Sequence, residues 1–405
     1  MIIPQSFFEI VPFRVKSTFI FILSTAFILL PEPALSDVYN RLKGLKITIT
    51  VSKCNLRKSP EISNNIITKL NQNDEAEIIE ISDENGKLWY KIEAGKYKGW
   101  VSSKVCKLQE IRKEFDLSNL TYEKRFIDLK NAYPVKYIRL FEKVKKHYSK
   151  DDFDNLMSNQ ESIKLDKAYF DKVRFLASPD STIKQEQQHK DWVPILVNEE
   201  TVKKGKIFFD KYNKYFLEAA KKTGVAASDI IAILNWESRL GEYRGRYSVF
   251  TIFVGQYFYI DEIEYKIFKE GTYPSENVMD RNSALKRIDK LKNRAARNLA
   301  NLLIQAKNKN FDPLKVKGSW AGAIGIPQFM PSSMVYAKDG DNDGNIDLNT
   351  IPDAIMSVAS YLAEHKYNEK GREYAFKRYN RSEMYMRGVT LYSDKFKEFN
   401  TSETE

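Results

Sequence analysis

The sequence predicts a multidomain chain, with a small all-β barrel followed by a mainly helical α+β domain, and three observations carry that expectation. Between 45 and 108 it breaks into short runs, ITITV, CNLRKSP, EAEIIEI, LWYKIE and GWVSSKV, separated by Asn, Asp, Gly and Ser. Runs of four to seven β-branched and aromatic residues between turn formers are the mark of barrel strands. Beyond 228, apolar residues recur at i, i+3, i+4 and i+7 in three stretches, which is the spacing of helices with a buried face. The chain has 405 residues, too many for one compact core, so two or three domains are expected.

Taken in order, the chain begins with Arg14 and Lys16, an apolar run at 19–30 (FIFILSTAFILL), then Pro31, Pro33 and the small-residue site Ala34-Leu35-Ser36. Basic, apolar and small-residue regions in that order predict a secretory signal over 1–36, and twelve apolar-rich residues are short for a membrane span. The residues ahead of Arg14 leave a later start or an uncleaved anchor open. The mature chain is thus expected to be exported, to the periplasm or cell envelope. Formal net charge is +11, which draws a surface to polyanions. Charge alone would suggest nucleic acid as partner, but export argues against it.

The barrel is expected over 44–108. A charged, helix-prone connector is expected over 109–172, with Leu117, Leu120, Phe126, Leu129, Leu140, Phe141 and Val144 as apolar positions and Pro134 breaking the run. The second domain would occupy 173–400. Its stripes are Ile230, Ile233, Leu234 and Glu237; Leu299, Leu302, Leu303 and Ala306; and Ile355, Val358, Ala359 and Leu362. The last two sets are core helices.

The first set contains the anomaly. In 228–241, SDIIAILNWESRLG, Ser228 or Asp229 is placed to cap the helix, and Glu237 is the one acid on a stripe that should face the core. A carboxyl group held among Ile and Leu loses hydration of its charged form, so its pKa rises. Still protonated near neutrality, it can donate a proton to a leaving oxygen. The competing reading is a glutamate at a helix end that turns to solvent, and the helix alone does not decide between them.

A second segment decides it. NWESRLG, with Glu237 and Gly241, and GSWAGAIGIPQFMPSS at 318–333 resemble the two signature segments of the membrane-bound lytic transglycosylase B family. The resemblance extends over about 188–389, through Asp191-Trp192-Val193-Pro194, a helix with Phe209, Tyr212 and Phe216, and Tyr379-Asn380. It implies a lysozyme-like catalytic domain and a peptidoglycan glycan strand as substrate. It also implies Glu237 as the single acid and base: it would protonate the oxygen between N-acetylmuramic acid and N-acetylglucosamine, then accept the proton of the muramic C6 hydroxyl as a 1,6-anhydro ring closes. Most glycosidases use two carboxylates. Glu242 lies off the motif's acid position. Ser319 and Gln328 match positions lining the cleft, and Tyr379, Asn380 and Tyr385 a second wall, where amides and hydroxyls suit acetamido groups and tyrosine faces suit sugar rings. Trp236 and Trp320 are expected to pack rather than to bind sugar.

Within the barrel, Asn55-Leu56-Arg57, Trp89-Tyr90-Lys91-Ile92 and Gly99-Trp100-Val101 resemble a bacterial SH3 domain, which implies binding of wall peptide or glycan, stem peptides included. The alternative is a folded spacer. In such a domain the first and last strands lie side by side, so the resemblance implies that Cys54 and Cys106, the two cysteines of the chain, close a disulfide.

The remaining motif is DGDNDGNID at 339–347. Asp339, Asp341 and Asp343 at positions one, three and five, Gly344 at six and Ile346 at eight have the spacing of an EF-hand calcium loop. Position twelve is Thr350 rather than glutamate. The family's version closes the site with a later acid, which Asp353 matches, and Asn345 is expected to contribute. Calcium is the expected cofactor, in a structural role, with sodium or magnesium as substitutes; no organic cofactor is expected. An Asp/Asn/Gly surface turn is the plainer alternative. Two other functions stay in view, a non-catalytic peptidoglycan-binding scaffold with the same cleft and a hydrolytic lysozyme.

Overall fold

The computed structural model describes residues 42–84, 87–109, 128–164, 167–177, 180–260 and 281–402. The expected signal at 1–36 and the connector positions Leu117, Leu120 and Phe126 lie outside the described residues. Among the described residues no helix is long and apolar enough to cross a membrane.

The first body is a seven-stranded antiparallel sheet. Its strands are β1 (Lys46–Ile49), β2 (Lys53–Arg57), β3 (Ile66–Asn71), β4 (Glu75–Glu84), β5 (Lys87–Ala94), β6 (Tyr97–Ser102) and β7 (Cys106–Leu108), in the order β3-β2-β6-β5-β4-β1-β7. The register shifts between Ile78 and Glu80 on β4 and between Leu56 and Arg57 on β2. An extra residue at such a point bends a strand and helps curl the sheet. Ile47, Ile49, Leu56, Ile78, Ile92 and Val101 are fully buried inside. Strand β3 is not among the expected runs, because its one buried residue is Leu70 and it shows no apolar alternation.

First and last strands do pair, and in the structure Cys54 and Cys106 are not bonded to each other. Ile49 lies opposite Cys106, and Cys54 is on β2, which pairs with β3 and β6. Both cysteines are free thiols. Cys106 Sγ donates to Ser102 O at 3.3 Å, and burial pushes both thiols above their ordinary pKa.

The second body is helical. The helices that concern the site are α1 (Pro134–Val144), α2 (Lys167–Ala177), α3 (Asp180–Leu196), α4 (Glu199–Lys211), α5 (Asn213–Thr223), α6 (Ala227–Ser238), α7 (Val249–Phe258), α8 (Arg281–Asn308), α9 (Ile351–Glu364), α10 (Arg372–Tyr379) and α11 (Glu383–Ser402). Pro134 opens α1, a position where its missing N–H costs no helical hydrogen bond. Leu140, Phe141 and Val144 of α1 join the main helical core, while Val135 and Ile138 join the barrel core. The segment expected as a connector therefore packs on both bodies. The single helix expected through Phe209, Tyr212 and Phe216 is two, because Tyr212 leaves helical geometry at φ −114° between α4 and α5. A two-stranded ribbon, β8 (Tyr247–Ser248) with β9 (Lys317–Gly318), carries the loop that follows.

At the centre is α6. Ile230, Ile231, Ala232, Ile233 and Leu234 are all fully buried, so the helix is apolar around its whole circumference rather than along one stripe. A helix of that kind belongs in the middle of a domain, and α4, α5, α9 and α11 surround it.

Candidate active site

The end of α6 places Glu237. Arg239 and Leu240 follow in left-handed geometry, at φ 49° and 60°, and Gly241 at 95°. Non-glycine residues pay conformational energy there, and such strain concentrates at functional sites. Ser238 holds the turn: its hydroxyl donates to Leu234 O at 3.2 Å and accepts from Gly241 N at 3.0 Å. Glu237 keeps some solvent-accessible surface, yet protein surrounds it so closely that burial raises its pKa from 4.5 to about 7. The opposing influence is smaller: Tyr385 Oη donates to Glu237 Oε1 at 2.7 Å, which favours the carboxylate.

Tyr385, 1% exposed on α11, is one face of an aromatic wall. It stacks on Tyr379 with ring centroids 6.4 Å apart and planes at 11°. Tyr379 in turn donates its hydroxyl to Pro327 O at 2.6 Å, the carbonyl just before Gln328. The acid, the tyrosines and the 319–330 loop are thus joined by successive contacts. Asn380 has a structural part: its side-chain oxygen accepts from Ser382 N at 3.1 Å where α11 begins.

The loop itself is held from inside. Ser319 Oγ accepts from Ala321 N at 3.3 Å and Ala323 N at 3.0 Å, and Ile324 bridges to both Gly318 and Phe329. Gln328 stands at φ 51° and spends one amide N–H on Gly325 O at 2.7 Å, and among the described residues its oxygen and other N–H have no partner. An ideal Cβ on Gly241 would lie 3.3 Å from Ile326 Cδ1, so the loop rests on the turn after Glu237.

A family model described as "Transglycosylase SLT domain" matches residues 140–374, more than half of the chain. The chain belongs to this transglycosylase family. A second model, the bacterial SH3 domain, matches 52–105 within the barrel. The membrane-bound lytic murein transglycosylase B of Escherichia coli K12 is 50% identical over 68 residues, which are 16% of this chain and 19% of that protein. The chain therefore spans about a fifth of the length of the curated relative it matches. Among solved structures, the E. coli lytic transglycosylase Slt35 in complex with calcium is similar at 19% identity and a TM-score of 0.49, over 68% of this chain and 96% of that one. The soluble lytic transglycosylase SltB1 of Pseudomonas aeruginosa is similar at 21% identity and 0.48, over 66% and 99%.

In this chain the acidic loop brings together three of its expected acids. Asp339, Asp341 and Asp353 each bring an oxygen within 4.8 Å of the others. Asp339 accepts from Asn342 N at 2.6 Å and Gly344 N at 2.8 Å, and Gly344 takes the positive φ, 88°, of the loop's sixth position. Asp353, 2% exposed, accepts from Gly340 N and Asp347 N, both at 2.7 Å, while burial raises its pKa. Three converging carboxylates, one of them desolvated, fit a hard divalent cation. Asp343 is outside the cluster of acids; its Oδ1 accepts from Asn345 N at 2.7 Å, and both side chains are exposed. One residue past Asp347, Leu348 O accepts from Ile326 N at 2.8 Å and so joins this loop to the one bearing Gln328.

The capping role expected for Ser228 or Asp229 belongs to neither. The N-cap is Ala226, which makes no side-chain cap. Asp229 is fully buried instead, because four elements converge there. It accepts from Tyr367 Oη and Ser393 Oγ and lies 3.5 Å from Arg372, which also pairs with Asp394 at 2.7 Å. Trp236 is buried, as packing requires, and Trp320 is half-buried against an apolar cluster of α2, α8 and Ile260. Tyr361 and His189 escaped the sequence analysis. Tyr361 packs 4.7 Å from Tyr379, and His189 5.8 Å from Tyr385. Tyr361 stands in an ordinary core helix pattern, so nothing in the sequence singles it out.

Proposed function

We propose that the protein is a peptidoglycan lytic transglycosylase of the cell envelope, with Glu237 as its one acid and base. The observation that carries this is the desolvated carboxyl group, held near neutrality at about pKa 7 and facing a tyrosine hydroxyl. Protonated, Glu237 gives its proton to the glycosidic oxygen between N-acetylmuramic acid and N-acetylglucosamine as that C–O bond breaks. The muramic C6 hydroxyl attacks the anomeric carbon and loses its proton to the carboxylate, so Glu237 returns to its starting state and no water is consumed. Tyr385 stabilises the carboxylate between the two transfers. The free amide groups of Gln328 suit an acetamido substituent, and the Tyr379 face suits a sugar ring.

Calcium is the cation we assign to Asp339, Asp341 and Asp353, with the Asn345 backbone in reach of the loop's seventh position. When bound it supplies charge neutralisation to the three carboxylates. Leu348 O carries the resulting order to Ile326 and thereby to Gln328. The barrel we assign to wall binding, stem peptides included.

The test is digestion of purified sacculi with product mass spectrometry. Wild type should release anhydromuropeptides and Glu237→Gln none, with its thermal midpoint retained. Products heavier by one water would make the enzyme a hydrolase. No release by wild type would leave a wall-binding scaffold.

A further inference from the structure

Arg287, Leu291, Arg294 and Asn298 fall at i, i+4, i+7 and i+11 on α8, one stripe of the helix surface. Its two ends are anchored. Arg287 Nη2 donates to Leu176 O at 3.0 Å and also to Ser181 Oγ, while Asn298 Oδ1 accepts from Ser332 N at 3.0 Å. Leu291 belongs to the cluster on which Trp320 packs. Arg294 therefore lies between the Trp320 and Ser332 anchor points, on the flank of the loop that carries Ser319 and Gln328.

Among the described residues each of these guanidinium groups keeps a buried donor without an acceptor. The Nε atoms of Arg287 and Arg294 are both buried without a hydrogen-bond partner. Among the described residues no carboxylate pairs with Arg294, and Asp289 of the same helix turns to Lys292 at 3.3 Å. Burial, with repulsion from Arg287 and Arg297, holds the Arg294 pKa below its ordinary value. More positive charge gathers at the same flank. Lys172 Nζ stands 5.7 Å over the Trp320 ring and Lys184 Nζ 5.6 Å over Phe175, and those rings pack 5.5 Å apart. A desolvated cation without a counter-charge is costly, and an anion that joins it removes much of the cost.

We propose that Arg294, with Arg287 beside it, forms a subsite for a carboxylate of the stem peptide, so that substrate is held by its peptide as well as by its sugars. This rests on the proposed function, since a muramic-acid stem is what would bring carboxylates alongside the 319–332 loop. A guanidinium presents parallel N–H groups to the two oxygens of a carboxylate, and the Phe175 and Trp320 rings offer apolar surface to the stem's methyl groups.

The experiment measures binding in the Glu237→Gln protein, using soluble glycan fragments that carry stem peptides and the same fragments stripped by an amidase. Arg294→Gln should weaken the peptide-bearing fragments about tenfold, the scale of one charge-assisted pair, and the stripped ones less than twofold. Arg294→Lys should fall between, because it keeps the charge and loses the fork. Equal weakening of both ligands, no weakening of either, or no preference of the parent for peptide-bearing fragments would each overturn the subsite. Competition by inorganic phosphate as strong as by free stem peptide would also overturn it, assigning the site to a small anion. Catalysis is absent from this measurement, so failure of the enzymatic reading, read from products of the protein with Glu237 intact, is a separate result.

Discussion

Tyr385 donates its hydroxyl to Glu237 Oε1 at 2.7 Å, and the two residues are 148 positions apart in the chain. Burial raises the pKa of the acid while this bond lowers it. The balance leaves a group able both to give a proton and to take one back near neutral pH.

Glu237→Gln should reduce product release by at least about a hundredfold, the lower end of what a positioned acid contributes. The fold should persist, since an amide of the same shape replaces a group that is costly to charge. Initial rates on purified sacculi and a circular dichroism melt check both parts.

The pH dependence has a definite sign. In the folded chain Glu237 holds its proton up to about pH 7, and in the unfolded chain up to about 4.5. Between those values the folded state binds more protons, so the stability contributed by protonated Glu237 is full below 4.5 and is lost as pH rises through 7. Activity should fall on the alkaline side of the same midpoint. Denaturation midpoints measured from pH 4 to 8 should lose this component in Glu237→Gln, and an unchanged slope would place the acid in water.

Tyr385→Phe removes the bond that favours the carboxylate. The alkaline limb of the activity profile should move to higher pH, by about half a unit to one unit, since one hydrogen bond contributes roughly 1 kcal/mol. A limb that stays in place would mean that Glu237 does not feel this hydroxyl in solution.

Asp229→Ala should destabilise the protein by about 3–5 kcal/mol, because it leaves the Tyr367 and Ser393 hydroxyls and part of the Arg372 charge without their acceptor. Gly388→Ala should cost about 1–3 kcal/mol, since a Cβ there would overlap the Trp236 ring beside Glu237. Urea denaturation midpoints test both.

Calcium at 100 times its dissociation constant should add about 2.7 kcal/mol to stability. Chelation of calcium-loaded protein should therefore lower the thermal midpoint, and Asp353→Asn should abolish that response. A midpoint indifferent to chelator would remove the bracing role.

Much of this protein is local in origin and was legible in the sequence. Alternation in short runs gives barrel strands, i, i+3, i+4 spacing gives core helices, and aspartates accepting from backbone N–H groups two to five residues on curl the 339–347 loop, because each pattern depends on neighbours a few residues away. The helix pattern puts Glu237 on the Ile and Leu stripe of α6, and it took the resemblance of a second, distant segment to single it out. What the sequence could not supply is which distant groups meet. Cys106 pairs with Ile49 of β1 and Cys54 with Leu70 of β3; Asp229 is the buried meeting point of Tyr367, Arg372 and Ser393 rather than a cap; Asp353 joins Asp339 and Asp341 while Asp343 does not. Those outcomes depend on strand order and helix crossing. The raised pKa of Glu237 belongs with them, since desolvation is produced by everything packed around a group and not by its neighbours along the chain.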